Sequence, residues 1–278
     1  MTVLGYSDLV LRFSAFAAVF VVMALLEIMR PRRSLTLGRS RRWLTNLAFV
    51  GFGAAVVRLL AGVANLTAVP LVALTAAFLA EGRGWGLLPA LGLSHGLSIF
   101  VALVVLDFAV WLQHYAAHRV AMLWSFHRVH HADRDFDVTT ALRFHPVEIG
   151  LSVLWKVLWV LVLGVPPLAV LLFEIILNGC AMFNHANVDL PRPLDRVLRL
   201  VLVTPDLHRV HHSILPHEHN TNFGFNLSLW DRLFGTLTAQ PAGGHEQMTI
   251  GLSAYQDAKP AELGWSLRLP FGDRSKPE

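Results

Sequence analysis

Long apolar runs separated by short polar segments dominate the chain up to residue 183. The runs 9–28, 43–66 and 88–113 are each close to the about 20 residues that a helix needs to cross a bilayer. A shorter run, 69–80, fits either a span or a helix lying on the membrane surface. The pattern predicts a helical membrane protein.

Two further apolar runs, 151–163 and 168–183, are separated by the turn sequence GVPP. Each run is short for a full crossing, so we expect a helical hairpin that dips into the membrane and returns to the same side. His185 follows the hairpin and would then share a side with the histidines that precede it. From residue 187 onward the chain is largely polar, and the Pro, Gly and charges of its last few residues predict a disordered end.

The predicted fold class is therefore all-α: an integral-membrane helical bundle of about four spans or hairpin helices under a cytosolic, histidine-rich helical cap. Composition agrees, since 54% of the residues are hydrophobic and only 15% are charged. The sequence pI near 9.7 is in the range typical of proteins that bind nucleic acid. The basic residues form no stripe interleaved with aromatic residues, so we expect no nucleic-acid partner.

Six arginines between residues 30 and 42 set the expected orientation. Short loops rich in Arg and Lys remain in the cytoplasm, so this loop and the histidines are predicted to face the cytoplasm. Arg is much commoner than Lys, which favours a bacterial source and hence the inner membrane.

Histidines recur in three spaced groups. The first is H-x-x-x-H, and the other two share the pattern H-x-x-H-H. Residues three and four apart lie on one face of a helix, so each group can direct its imidazoles at one point. About 0.04 chance matches to H-x-x-H-H are expected in this composition, yet two occur. The groups comprise His114 and His118; His127, His130 and His131; and His208, His211 and His212.

Adding His185 makes nine histidines, which exceeds the three or four ligands that a single zinc ion takes. Two metal ions are therefore predicted. Imidazole suits Zn, Cu, Fe and Ni alike. The lone Cys180 excludes a Cys-ligated zinc site and a protein-ligated iron–sulfur cluster. Asp133, Asp135 and Asp206 are candidates to balance the metal charge.

These motifs resemble the fatty acid hydroxylase superfamily, also called the sterol desaturase family, of integral-membrane non-haem di-iron oxygenases. The resemblance covers residues 107–238 and rests on HYAAH, HRVHH twice, and the downstream NTNFG and WDRLFGT. It implies that the nine histidines bind two Fe ions and that O2 is a cosubstrate. Zn could occupy the site in purified material.

The resemblance also divides the chain into transmembrane helices in 1–106, a catalytic region in 107–238 that includes the membrane hairpin 151–183, and a cytosolic tail in 239–278. His145 matches a recurrent family position, as a tenth ligand or a residue that orients one. Asn187 could complete one metal, because some members have a further histidine near His185. Asp107 fits either a residue that orients a ligand or a helix-end acid facing an arginine. The WDRLFGT segment is predicted to be a packed turn.

The leading hypothesis is a membrane enzyme that hydroxylates or desaturates a C–H bond of a lipid, sterol or terpenoid. The sequence contains no flavin fingerprint and no appended haem domain, so electrons would come from a ferredoxin, cytochrome or reductase. The alternative is a membrane electron carrier that holds haem b between histidine pairs. Tight histidine boxes outside the spans argue against it.

Overall fold

The computed structural model describes residues 2–3, 6–67 and 69–272. The N-terminal half contains α1 (Asp8–Met29), α2 (Arg39–Thr67), α3 (Ala73–Arg83), α4 (Leu87–Ala90) and α5 (His95–Arg119). The centre contains α6 (Ala121–His131), α7 (Pro146–Leu163) and α8 (Pro167–Asn184). The C-terminal part contains α9 (Arg192–Leu198), α10 (Pro205–His211), α11 (Pro216–His219), α12 (Leu229–Leu233), α13 (Gly244–Gln247) and α14 (Leu263–Arg268). Thr2–Val3 pairs antiparallel with Tyr6–Ser7.

Within these ranges, α1, α2, α5, α7 and α8 are long and apolar enough to cross a membrane. The chain is thus a multi-pass membrane protein, and the predicted all-α bundle is confirmed. The ambiguous run 69–80 forms α3, which is only 11 residues long. It packs against α7 and α8, with Ala76, Ala77 and Ala80 fully buried, so it belongs to the core of the bundle.

The hairpin expected from two apolar runs is formed by α7 and α8. Each helix has 18 residues and is long and apolar enough to cross a membrane, so the expectation that the runs are too short for a full crossing is wrong; α7 begins at Pro146, five residues before its apolar run. Gly164 ends α7 in the left-handed conformation, with φ at 67°, and its amide closes the helix on Val160. A Cβ at Gly164 would lie 2.1 Å from the backbone oxygen of Trp85, so the turn requires glycine. The start of α7 and the end of α8 therefore lie at the same end of the bundle, as do the histidines.

Residues beyond the bundle form a cap over that end. Met248 and Ile250 pack on Phe136, while Leu252 and Leu269 pack with Trp124 of α6. The segment 248–271 is thus a packed layer of the cap. The disordered end predicted from composition falls mainly in residues 273–278, which lie outside the described residues.

Candidate metal centre

Four helices carry the nine histidines to one buried region. The first pair lies one turn apart on α5, the second box ends α6, the third occupies the end of α10, and His185 follows α8. Each of the nine side chains is at most 4% exposed. The structure thus brings together all nine histidines that the sequence singled out.

The nine residues divide into two groups, and within each group one ring nitrogen per residue lies within 4.8 Å of all the others. Both H-x-x-H-H boxes contribute to both groups. On α6, His127 and His131 project on nearly the same face because they are four residues apart, whereas His130 points to the second group. The five-histidine group is His114, His118, His127, His131 and His211; the four-histidine group is His130, His185, His208 and His212.

The ring nitrogens are arranged as ligands of a shared ion would be. The Nε2 atom of His185 lies 3.1 Å from Nε2 of His130 and 3.1 Å from Nε2 of His208. Two imidazole nitrogens bound at right angles to one ion, each at about 2.1 Å, would be about 3 Å apart. Both ring nitrogens of His118, His131 and His212 are buried without a hydrogen-bond partner among the described residues. Such orphaned nitrogens fit metal ligation.

The protonation state also suits metal binding. Burial lowers the pKa of His185 to about 3. Burial, reinforced by neighbouring histidines, lowers the pKa of His130, His131, His208 and His212 well below the ordinary value. These imidazoles are neutral at physiological pH, and the neutral ring is the form that binds a metal.

Hydrogen bonds to the other ring nitrogen orient four of the histidines. Nδ1 of His114 donates to the carbonyl of Phe223 at 2.8 Å, and Nδ1 of His211 donates to that of Thr221 at 2.7 Å. Nδ1 of His185 donates to a carbonyl of its own helix at 2.8 Å. In His127 the acceptor is Oε1 of Glu148 at 2.6 Å. Each bond fixes the tautomer and leaves Nε2 free for an ion.

Asp231 holds the loop whose carbonyl orients His114. Its carboxylate accepts hydrogen bonds from the backbone amides of Phe223 and Gly224, at 2.9 and 2.7 Å, and from the ring of Trp111 at 3.0 Å. Asp231 therefore acts as the centre of a packed turn, as the WDRLFGT pattern predicts.

The three additional candidates lie outside both groups. His145 caps α7, where its Nδ1 accepts from the amide of Val147 at 3.2 Å. Asn187 bonds the backbone of Arg33 through both side-chain atoms. Asp107 accepts from the ring of Trp230 at 2.8 Å and from the amide of Leu227 at 3.3 Å; among the described residues it has no hydrogen bond or ion pair with a ligand histidine or an arginine.

The acids expected to balance the metal charge have other partners. Asp133 binds Arg42, Asp206 binds Arg209, and Asp135 accepts from the amides of Thr36 and Leu37. These carboxylates are satisfied by cations and amide donors within the cap, so their part in balancing metal charge stays a prediction.

Two residues near the five-histidine group were missed or left without a specific role. Glu148, in the first turn of α7, is separated from His127 by 21 positions, and no periodicity indicates their contact. His219, on α11, is 1% exposed and stacks on Trp124, with its ring centroid 6.2 Å from that of His118.

Comparison with known proteins is consistent with this geometry. Residues 99–236 match the profile of the fatty acid hydroxylase family. The ornithine lipid hydroxylase OlsE of Rhizobium tropici is 34% identical over 144 residues, which are 51% of this chain and 42% of that protein. Human alkylglycerol monooxygenase is 32% identical over 156 residues, 55% of this chain and 33% of that protein.

Rat cholesterol 25-hydroxylase is 27% identical over 151 residues, 54% of this chain and 48% of that protein. The chain thus covers less than half the length of each of these three relatives. No solved structure matches it.

Proposed function

We propose that this chain, which belongs to the fatty acid hydroxylase family, is a membrane-bound non-haem di-iron oxygenase that oxidises a C–H bond of a lipid, sterol or terpenoid. The observation that carries the proposal is the pair of adjoining, buried histidine groups. Three matched relatives are named for the hydroxylation or monooxygenation of an ornithine lipid, an alkylglycerol and cholesterol.

The five-histidine group would hold one iron and the four-histidine group the other. Bound iron supplies the activation of O2, which an unactivated C–H bond requires. In hydroxylation, one oxygen atom enters the C–H bond and the other leaves as water, with two electrons and two protons taken up. In desaturation both oxygen atoms leave as water, again with two electrons and two protons. A ferredoxin, cytochrome or reductase would deliver the electrons.

The protein's own groups orient and enclose the centre. Phe223, Thr221 and Ala181 provide carbonyls, and Glu148 a carboxylate, that hold histidine rings in one tautomer. Residues of the cap bury the imidazoles, and a water-excluded site protects a reactive oxidant from side reactions. We propose further that residues 107–238 form the catalytic part, and that the centre faces the cytoplasm of a bacterial inner membrane.

The haem b alternative is less favoured by the geometry. Neighbouring histidine rings contact one another edge to face, with centroids 4.3 Å apart for His185 and His208 and 4.6 Å apart for His130 and His212. Haem b with two histidine ligands has one imidazole on each face of the porphyrin. The histidine rings in this structure are too close together to hold a porphyrin between them.

The test is metal analysis with Mössbauer spectroscopy on full-length protein purified anaerobically from cells grown on 57Fe. We expect about two irons per chain with the signature of a coupled pair, as the two-group geometry requires. A Soret band, or an intact fold without metal above background, would refute the proposal. If zinc is found, reconstitution with Fe(II) followed by the same spectrum decides the question.

A further inference from the structure

An apolar groove runs along the membrane face of the bundle beside the five-histidine group. It has a volume of about 400 Å3 and lies between α5, α6 and α7. We call it the α5–α7 groove. Its walls are mainly Leu, Ala, Phe and Trp side chains, including Ala116, Phe126, Leu154 and Trp155. Such a lining suits hydrocarbon.

The groove is elongated along α7. Glu148, Leu151, Leu154, Trp155 and Leu158 line it and form one stripe of that helix. Ten residues of α-helix span about 15 Å, roughly half the 30 Å hydrocarbon thickness of a bilayer. The groove therefore has the length of a lipid chain within one leaflet. Leu151, Leu154 and Leu158 are 38 to 52% exposed on a membrane-spanning helix, so lipid can enter from the side.

The two ends of the groove differ in chemistry. At the histidine end, Glu148 uses Oε1 to accept from Nδ1 of His127, while its Oε2 is buried without a hydrogen-bond partner among the described residues. The amide of Gln113, also in the lining, donates to Ser152, and the ring nitrogen of Trp155 donates to the carbonyl of Ala109. Glu148 thus presents an unsatisfied acceptor where the groove meets the metal centre.

We propose that the α5–α7 groove holds the chain of a membrane lipid with its polar end at the histidines, and that a hydroxyl or amide N–H beside the chain donates to Oε2 of Glu148. The inference rests on the proposed function and adds the orientation of the substrate. The carbon that is oxidised then lies close to the polar end of the lipid, because the methyl end points toward the middle of the bilayer. Glu148 acts as a positioning residue that links substrate and His127.

Binding is tested without turnover, in purified full-length protein with no reductant present. The probes are 1-hexadecanol brominated at mid-chain and its methyl ether, which lacks the hydroxyl donor. Trp155 lies about 10 Å along α7 from Glu148, so mid-chain bromine should quench its fluorescence. The Trp155 signal is the difference between the wild type and Trp155→Phe. We expect saturable quenching of that signal by the alcohol.

Filling the groove should abolish this binding. Ala116→Phe should weaken it at least tenfold, whereas Ala55→Phe, at an exposed position of α2, should leave it unchanged. A second pair of variants is used if Ala116→Phe, which lies near His114 and His118, loses metal. Leu154→Asn places a polar group in the groove and should weaken binding, and Leu59→Asn, at an exposed position of α2, is its control. If the groove variants and their controls show equal quenching of Trp155, the proposed site is overturned.

The role of Glu148 is tested by Glu148→Gln, which can still accept from His127 but presents an N–H where Oε2 stood. In the wild type the alcohol should bind about five- to tenfold more tightly than the ether, and Glu148→Gln should remove this preference, because the new N–H can donate to the oxygen of either probe. Moving the bromines to the chain terminus should reduce quenching of Trp155. Stronger quenching by the terminal bromide would reverse the orientation and overturn the inference.

Metal content is measured on every variant. Wild-type protein that holds two irons but binds no probe refutes the groove proposal and leaves the proposed function intact. Wild-type protein that binds the probe but holds no metal refutes the proposed function and leaves the groove as a binding site.

Discussion

Arg42 of α2 and Asp133 form a two-pronged ion pair, in which Nε and Nη2 of the arginine lie 2.7 and 3.0 Å from the two carboxylate oxygens. Neither side chain is more than 2% exposed, and Asp137 binds the remaining Nη1 at 2.8 Å. Asp133 follows His131, the last residue of the second histidine box, by two positions. Arg42, 91 positions away in sequence, therefore fixes the segment directly after that box. Arg42, one of the six arginines whose positions predict the orientation, thus also has a structural role.

Removing Arg42 should therefore destabilise the protein strongly. Arg42→Ala leaves two buried carboxylates unpaired, a change that typically costs about 3–5 kcal/mol. Arg41→Ala is the matched control, because the Arg41 side chain is 66% exposed and its ion pair with Glu262 is worth about 0–1 kcal/mol. Thermal unfolding in detergent compares the two, and equal shifts in Tm would contradict the structural role.

Single ligand replacements should remove metal from one group at a time. His130→Ala removes a member of the four-histidine group, and His211→Ala a member of the five-histidine group. We expect each variant to insert in the membrane, to lose activity and to hold about one iron where the wild type holds about two. His95→Ala and His217→Ala, at exposed positions, should match the wild type. Metal analysis and activity measure the outcome, and full iron in both ligand variants would exclude these residues as ligands.

Asp231→Asn should weaken the five-histidine group without touching a ligand. The amide can no longer accept from both backbone amides of the loop, so the carbonyl that orients His114 shifts. Loss of such an outer partner typically lowers metal affinity about 10–100-fold. Competition with a chelator measures this affinity. Asp257→Asn, at an exposed position, serves as control, and an equal affinity in both variants would contradict the role of Asp231.

Gly164→Ala should destabilise the hairpin in two ways, through the strain of a positive φ and through a steric clash of the new Cβ. Gly164 and Gly92 have φ of 67° and 62°, so alanine at either position costs about 1–2 kcal/mol of strain. Only at Gly164 would the new Cβ meet a neighbour, the oxygen of Trp85 at 2.1 Å; nothing lies within 4 Å at Gly92. A contact of this kind adds about 1–3 kcal/mol. The difference between the two variants in thermal unfolding isolates this contact, and no difference would show that the turn adapts.

The candidate site illustrates what local pattern can predict. The spacing within HRVHH places three imidazoles near one helical face, so the metal-binding chemistry of the boxes follows from the periodicity of a helix. The hairpin follows from GVPP between two apolar runs, and it brings His185 to the side of the other histidines. Periodicity could not assign His130 and His131 to different groups, because the assignment depends on how α6 is rotated against α8 and α10.

The hydrogen-bond and ion-pair partners of the residues around the histidines could not be predicted from the local sequence. Asp133 and Asp206 look like candidates for balancing metal charge in the sequence, yet the fold gives them arginine partners. Glu148 has no distinguishing local pattern, yet it contacts His127. Hydrogen-bond partners are chosen by whichever donor and acceptor the packing brings within 3 Å, and that choice involves residues far apart in sequence.

Apolar run length and histidine spacing, both local properties, were enough to specify a membrane bundle and nine candidate ligands. The division into two groups, the carbonyls that orient the rings and the groove ending at Glu148 emerged only from packing between helices. The physical reason is sequence separation. A helix repeats every 3.6 residues, so a short stretch of sequence shows its pattern, whereas a contact across the bundle joins residues that are far apart in sequence.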